Sequence, residues 1–181
     1  TNLETNVGPS PRHAKPPYQA GLPERTHDRT TMTHTVFILN GPNLNLLGIR
    51  EPHLYGHTTL AQIEQRCRAV TAELGLQCEF RQSNHEGVLI DWVQEARALG
   101  ASVVINPAGL SFRSIPLLDA LKTLDQPVME VHLTNIHRRE ALYQQSIISL
   151  GATGVICGLG PLGYELALRA VSEHVKSTAT T

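Results

Sequence analysis

Two clusters of side chains in this sequence could do chemistry. The first is Glu130-Val131-His132. In an extended strand, residues two apart project from the same face, so the carboxylate and the imidazole would sit side by side. Such a pairing fixes the imidazole tautomer and favours its protonated form, which makes His132 a candidate acid. A lone histidine at a strand end is more commonly structural, so the neighbouring carboxylate is what singles this one out. The second cluster is the stretch from Asn40 to His57, in which Gly48 and Gly56 bracket Arg50 and Tyr55. At about 18 residues it far exceeds an ordinary strand-to-helix connection, and such loops are usually lids or disordered segments. A plain surface excursion carrying an incidental Arg and Tyr is the competing explanation.

The elements around these clusters alternate regularly. The unbroken apolar run at 36–39 reads as a strand buried on both faces, and the runs at 103–105, 128–133 and 155–157 as further strands. The less apolar Cys78–Arg81 fits an edge strand. Helical periodicity links Leu60, Ile63, Cys67, Val70 and Leu74, with Thr58 or Thr59 as cap and Gly75 as stop. A second helix is expected over 86–99, with Leu89, Trp92, Val93 and Ala96 inward. Further helices are expected over about 114–124, 138–145 and 161–175. Five strands alternating with five helices imply a single α/β domain with a parallel sheet over 35–176. In such sheets ligands bind beyond the carboxyl ends of the strands. That rule selects the loops after Leu39, Arg81, Ile105, Val131 and Cys157.

Composition narrows the function. The chain has 181 residues, 41% of them hydrophobic, and a formal net charge of −1. That balance offers no basic surface for nucleic acid, and no apolar run approaches the length of a membrane span. Residues 1–34 are Pro-rich with few large apolar side chains, so they are expected to be a disordered extension, and 177–181 a disordered tail. Met32 is a candidate start site. The extension lacks the apolar core of a secretory signal. Cys67, Cys78 and Cys157 have no metal-like spacing and read as reduced thiols of a cytoplasmic protein. Gly158-Leu159-Gly160-Pro161-Leu162-Gly163 fits a dinucleotide-binding pattern, but no acidic residue on a following strand completes it, and a tight turn into a helix explains it. Lys122 and Lys176 are poorly placed for Schiff-base chemistry, and His132 and His137 lack partner ligands for a metal.

Several motifs in order make the chain resemble one family. Asn40–Gly56, Gln82-Ser83-Asn84-His85-Glu86, Ile105-Asn106-Pro107-Ala108, Glu130–His137 and Gly154–Gly160 with Gly163-Tyr164 are similar to type II 3-dehydroquinate dehydratases. The resemblance implies a flavodoxin-like fold with a five-stranded parallel sheet in the order 2-1-3-4-5. It implies loss of water from 3-dehydroquinate, with no metal or cofactor, in shikimate biosynthesis or quinate catabolism. By the same resemblance Tyr55 is the base, Arg50 supplies positive charge beside it, and Asn43 holds a water against the enolate oxygen. His132 is the acid and Glu130 orients it. Asn106 and the backbone N–H groups of Leu133 and Thr134 bind the substrate. Asp119 reaches a neighbouring subunit's site, because the family forms trimers packed into dodecamers. Two positions depart from the pattern. Phe112 replaces the histidine, and Tyr143 the arginine, that would hold the ring hydroxyls. Two substitutes are at hand in Arg113 and Tyr143, which keeps the same substrate. Alternatives are a related cyclic hydroxy-keto acid, or a non-enzymatic ligand-binding module.

Overall fold

The architecture is built around three central strands that are buried, flanked by two half-buried edge strands. The computed structural model describes residues 33–49 and 56–179. The strands are β1 (Thr35–Asn40), β2 (Gln77–Gln82), β3 (Ser102–Asn106), β4 (Val128–His132) and β5 (Gly154–Cys157). The helices are α1 (Leu60–Leu74), α2 (Glu86–Ala98), α3 (Ile115–Leu121) and α4 (Leu162–Ala179). All strand pairs are parallel, in the order β2-β1-β3-β4-β5. This is the flavodoxin-like arrangement expected from the sequence, with β2 at an edge.

Alternation along β1 divides the core. Val36 and Ile38 face α1 and α4, where they meet Ile63, Cys67, Leu168 and Val171. Phe37 and Leu39 face α2 and α3, where they meet Leu89, Val93 and Leu117. Trp92, expected inward, is half-buried, and the Arg81 guanidinium lies 5.7 Å from its ring and 4.8 Å from that of Phe37. Thr59 caps α1 with a reciprocal bond to Gln62, and Gly75 ends it in the left-handed conformation.

Two expectations need correction. No α-helix forms over 138–145. Single 3-10 turns at Ile136–Arg138, Ala141–Tyr143 and Ile148–Gly151 take its place. A helix of two turns gains little on its own, and here the chain instead brings Ser146 and Ser149 onto a carboxylate under the sheet edge. The expected C-terminal tail begins too early, because α4 continues through Ala179. The expected N-terminal extension lies outside the described residues except for Thr33 and His34. His34 is tied down: its ring bonds Ser102 Oγ at 2.8 Å and its carbonyl accepts from Gln77.

Leu89 is fully buried between α2 and the sheet. Leu89→Ala should therefore cost about 2–5 kcal/mol. The same change at the exposed Leu99 should stay within about 0.5 kcal/mol. Urea unfolding of the two variants checks the assignment of the core.

Candidate active site

The carboxyl ends of β1, β3 and β4 meet at one cavity of about 190 Å³. Asn43, Asn106, Phe112, His132, Leu133, Thr134, Arg139 and Tyr143 contribute to its lining. Of the residues expected at the site, seven thus gather here. Arg50 and Tyr55 lie outside the described residues. Glu130 sits behind His132. Arg113 and Asp119 are exposed and do not line the cavity.

Glu130 and His132 point the same way from β4, as their spacing requires. Glu130 has no exposed surface, and its Oε1 lies 2.7 Å from His132 Nε2. Ser146 Oγ donates to Oε1 and Ser149 Oγ to Oε2, both at 2.5 Å. Burial by itself would raise the carboxyl pKa. The hydrogen bonds from His132, Ser146 and Ser149 more than offset that, with the imidazole charge adding to them, and the net shift is downward. The group is therefore held as a carboxylate. With Nε2 engaged, Nδ1 is the ring nitrogen left for a ligand. The serines were not singled out from the sequence, because nothing local links them to a residue on β4.

The first loop is shaped by close backbone approaches. Gly41 donates its N–H to Asn106 O at 2.8 Å, and a Cβ at position 41 would stand 2.4 Å from Pro107 O. Only glycine allows the loops after β1 and β3 to touch. Asn43 has φ 68°, a conformation asparagine tolerates better than most residues. Its N–H bonds Asn84 Oδ1 at 2.9 Å. Leu44 and Leu47 are buried, so the start of the long loop is anchored rather than a free excursion.

The far wall is aromatic. The rings of Phe112 and Tyr143 meet edge-on, with centroids 5.3 Å apart and planes at 78°. The Arg139 guanidinium stands 4.2 Å from the Tyr143 ring centroid. Arg139 was not picked out by sequence reasoning. The glycine motif after β5 serves packing: a Cβ on Gly158 would lie 3.0 Å from Asn135 Cβ, and one on Gly163 3.3 Å from Val131. Among the described residues no cluster of His, Cys, Asp or Glu could hold a metal ion, and no helix is long and apolar enough to cross a membrane.

This fold and cavity define a class of α/β proteins with a small site at the sheet's carboxyl edge, and comparison with known proteins narrows it. The model of dehydroquinase class II matches residues 34–172. A 3-dehydroquinate dehydratase of Chelativorans sp. is 55% identical over 145 residues, covering 80% of this chain and all of the relative. 3-Dehydroquinate dehydratase 2 of Pseudomonas aeruginosa is 51% identical over 148 residues, covering 82% of this chain and all of the relative. The crystal structure of type II dehydroquinase from Propionibacterium acnes matches with a TM-score of 0.76 and 43% identity, covering 78% of this chain and 98% of that one. The chain belongs to the dehydroquinase class II family.

A pH prediction follows from Glu130. A carboxyl whose folded pKa is depressed stabilises the fold above its unfolded pKa, and this stabilisation is lost as pH falls through the folded value. Glu130→Gln removes that titration. The variant should be less stable at pH 7 by about 1–3 kcal/mol, because the His132 and serine donors lose a charged acceptor. It should then lose less further stability than the parent as pH falls below the ordinary carboxyl range. Urea midpoints measured from pH 7 to pH 3 test this; parallel curves would mean that Glu130 carries no shift.

Proposed function

We propose that this chain dehydrates 3-dehydroquinate to 3-dehydroshikimate. The observation that carries the proposal is the buried Glu130–His132 pair opening onto a cavity that also holds Asn43 and Asn106. Family membership and the names of its relatives support the same substrate.

In this reading Tyr55, as a phenolate favoured by Arg50, takes the proton from carbon 2 beside the ketone. The electron pair moves into an enolate, whose oxygen is held by a water on Asn43. The enolate then expels the hydroxyl on carbon 1, which takes its proton from His132 and leaves as water. The ring's double bond forms as that hydroxyl departs. Each charge is met where it develops. Glu130 keeps the imidazole oriented. Asn106 and the backbone N–H groups of Leu133 and Thr134 hold the anionic substrate. No metal or cofactor enters the scheme.

A homo-oligomer also belongs to the proposal. Asp119 is exposed on α3, free to reach a neighbouring copy's site, and Val155, Leu159, Leu162 and Leu166 expose apolar surface around the β5 edge. The three free thiols are consistent with a cytoplasmic setting.

The aromatic wall favours a second reading of specificity. Phe112 offers no hydrogen bond, and the Tyr143 ring is held between Phe112 and Arg139. A hydrogen bond to a charged group is worth about 1.5–3 kcal/mol. Phe112→His combined with Tyr143→Arg should therefore lower the KM for 3-dehydroquinate by about tenfold or more if the wall has been retuned for a ligand with fewer ring hydroxyls. An unchanged or raised KM would instead mean that Arg139 and Tyr143 already serve the hydroxyls.

The direct test is turnover of 3-dehydroquinate, followed by the enone absorbance of the product. Tyr55→Phe should reduce kcat by about 10²–10⁴-fold, while a substrate analogue still binds. A folded parent enzyme with no turnover would refute the substrate. Full activity in Tyr55→Phe would remove Tyr55 from the chemistry.

A further inference from the structure

A chain of three buried side chains runs under the cavity floor from the far side of the sheet. Tyr164, on α4, has no exposed surface. Its hydroxyl donates to Asn40 Oδ1 at 2.7 Å and accepts from Asn106 Nδ2 at 3.0 Å. Asn40 and Asn106 are paired neighbours at the carboxyl ends of β1 and β3. Both are almost completely buried.

Every hydrogen in this chain has a determined direction. Asn40 Nδ2 donates to the carbonyl of Arg81 at 3.0 Å and lies 3.4 Å from that of Ile38. Carbonyls only accept, so the Asn40 nitrogen must face them and its Oδ1 must face Tyr164. The phenol therefore has to donate to Asn40, which leaves its lone pairs for Asn106. Burial keeps the phenol protonated well beyond the ordinary tyrosine range, although the Asn106 bond works against that shift. At the other end the Ala108 N–H donates to Asn106 Oδ1 at 3.2 Å. Ala108 adopts a left-handed φ of 52° directly after Pro107. Backbone groups at both ends thus agree on one orientation of the Asn106 carboxamide. One of its N–H bonds is taken by Tyr164, and the second is left for the cavity that Asn106 lines.

We propose that Tyr164 is a positioning residue for substrate recognition: through Asn40 on one side and Asn106 on the other, its hydroxyl locks the Asn106 amide so that an N–H, not the carbonyl oxygen, is presented to the ligand. A ligand acceptor oxygen placed there meets a donor already oriented before binding. If the amide were free to flip, the same site would present a second oxygen to an oxygen for part of the time. The cost would appear in binding rather than in the proton transfers, because no reacting group touches Tyr164. The inference rests on the proposed role of Asn106 as a substrate contact.

The test is a double-mutant cycle with steady-state kinetics on 3-dehydroquinate and thermal unfolding of each variant. Tyr164→Phe keeps the ring and removes both hydroxyl bonds. It should raise KM about tenfold and leave kcat nearly unchanged. Asn106→Ala should raise KM by at least as much, and Tyr164→Phe added to Asn106→Ala should raise it no further. A structural role alone would lower the melting temperature without this dependence on residue 106. Asn40→Ala provides a route that leaves both the phenol and the cavity intact. Without its acceptor, the hydroxyl proton turns toward Asn106 and favours the flipped amide, so the same rise in KM is expected. An unchanged KM in folded Tyr164→Phe, or equal effects of that change with and without the Asn106 side chain, would overturn the proposal. If Tyr164→Phe does not fold, an unchanged KM in Asn40→Ala overturns it equally. If Asn106→Ala alone leaves KM unaltered while the parent turns over, Asn106 is not a substrate contact and the inference falls with that assignment. No turnover by the parent would fault the proposed substrate instead.

Discussion

A carboxylate with no access to water sits at the centre of this protein's active edge, and three donors make that tenable. An unpaired charge in such a place would be protonated or would unfold the chain, because desolvation penalises it by several kcal/mol. Glu130 escapes that outcome through His132, Ser146 and Ser149. Much of the local architecture can be understood as the means of bringing those donors together. The segment after β4 gives up a regular helix and turns three times in 3-10 geometry, which delivers both serines. The same turns carry Arg139 and Tyr143 to the cavity wall. One electrostatic requirement thereby connects the Glu130–His132 pair to the aromatic wall of the cavity.

The opposite side of the cavity is organised by uncharged groups. Asn40, Tyr164 and Asn106 form a buried chain whose ends are backbone groups. Gly41 allows two loops to approach more closely than any side chain would permit. The site therefore has a charged half on β4, where a carboxylate and an imidazole meet, and a neutral half on β1 and β3, built from amides and a phenol. The two halves converge from strands that the 2-1-3-4-5 order makes neighbours, in the position where parallel sheets usually bind ligands.

Much of this was legible in advance. Unbroken apolar runs separated by amphipathic stretches gave the α/β alternation, and the less apolar Cys78–Arg81 run marked β2 as an edge. Period two placed Glu130 and His132 on one face, and they are in contact. The glycine pattern after β5 was read as a turn, and two of its glycines, Gly158 and Gly163, lie against Asn135 and Val131. The expected helix over 138–145 was the misreading. Its residues are compatible with a helix, but local preference counts for little over two turns, and the pull of a buried carboxylate prevailed.

By itself the sequence determined the order and type of nearly all elements, the division of the core between two sheet faces, and the pairing of imidazole and carboxylate on one strand. These follow from periodicity, which reports on neighbours along the chain. Only the tertiary structure decided that Ser146 and Ser149 serve Glu130, that Arg139 faces the cavity while Arg113 and Asp119 do not, and that Tyr164 joins Asn40 to Asn106. Those contacts connect residues from 16 to 124 positions apart. Hydrogen-bond partners at such separations leave no periodic trace. They are set by where folded backbones bring donors and acceptors that water can no longer satisfy.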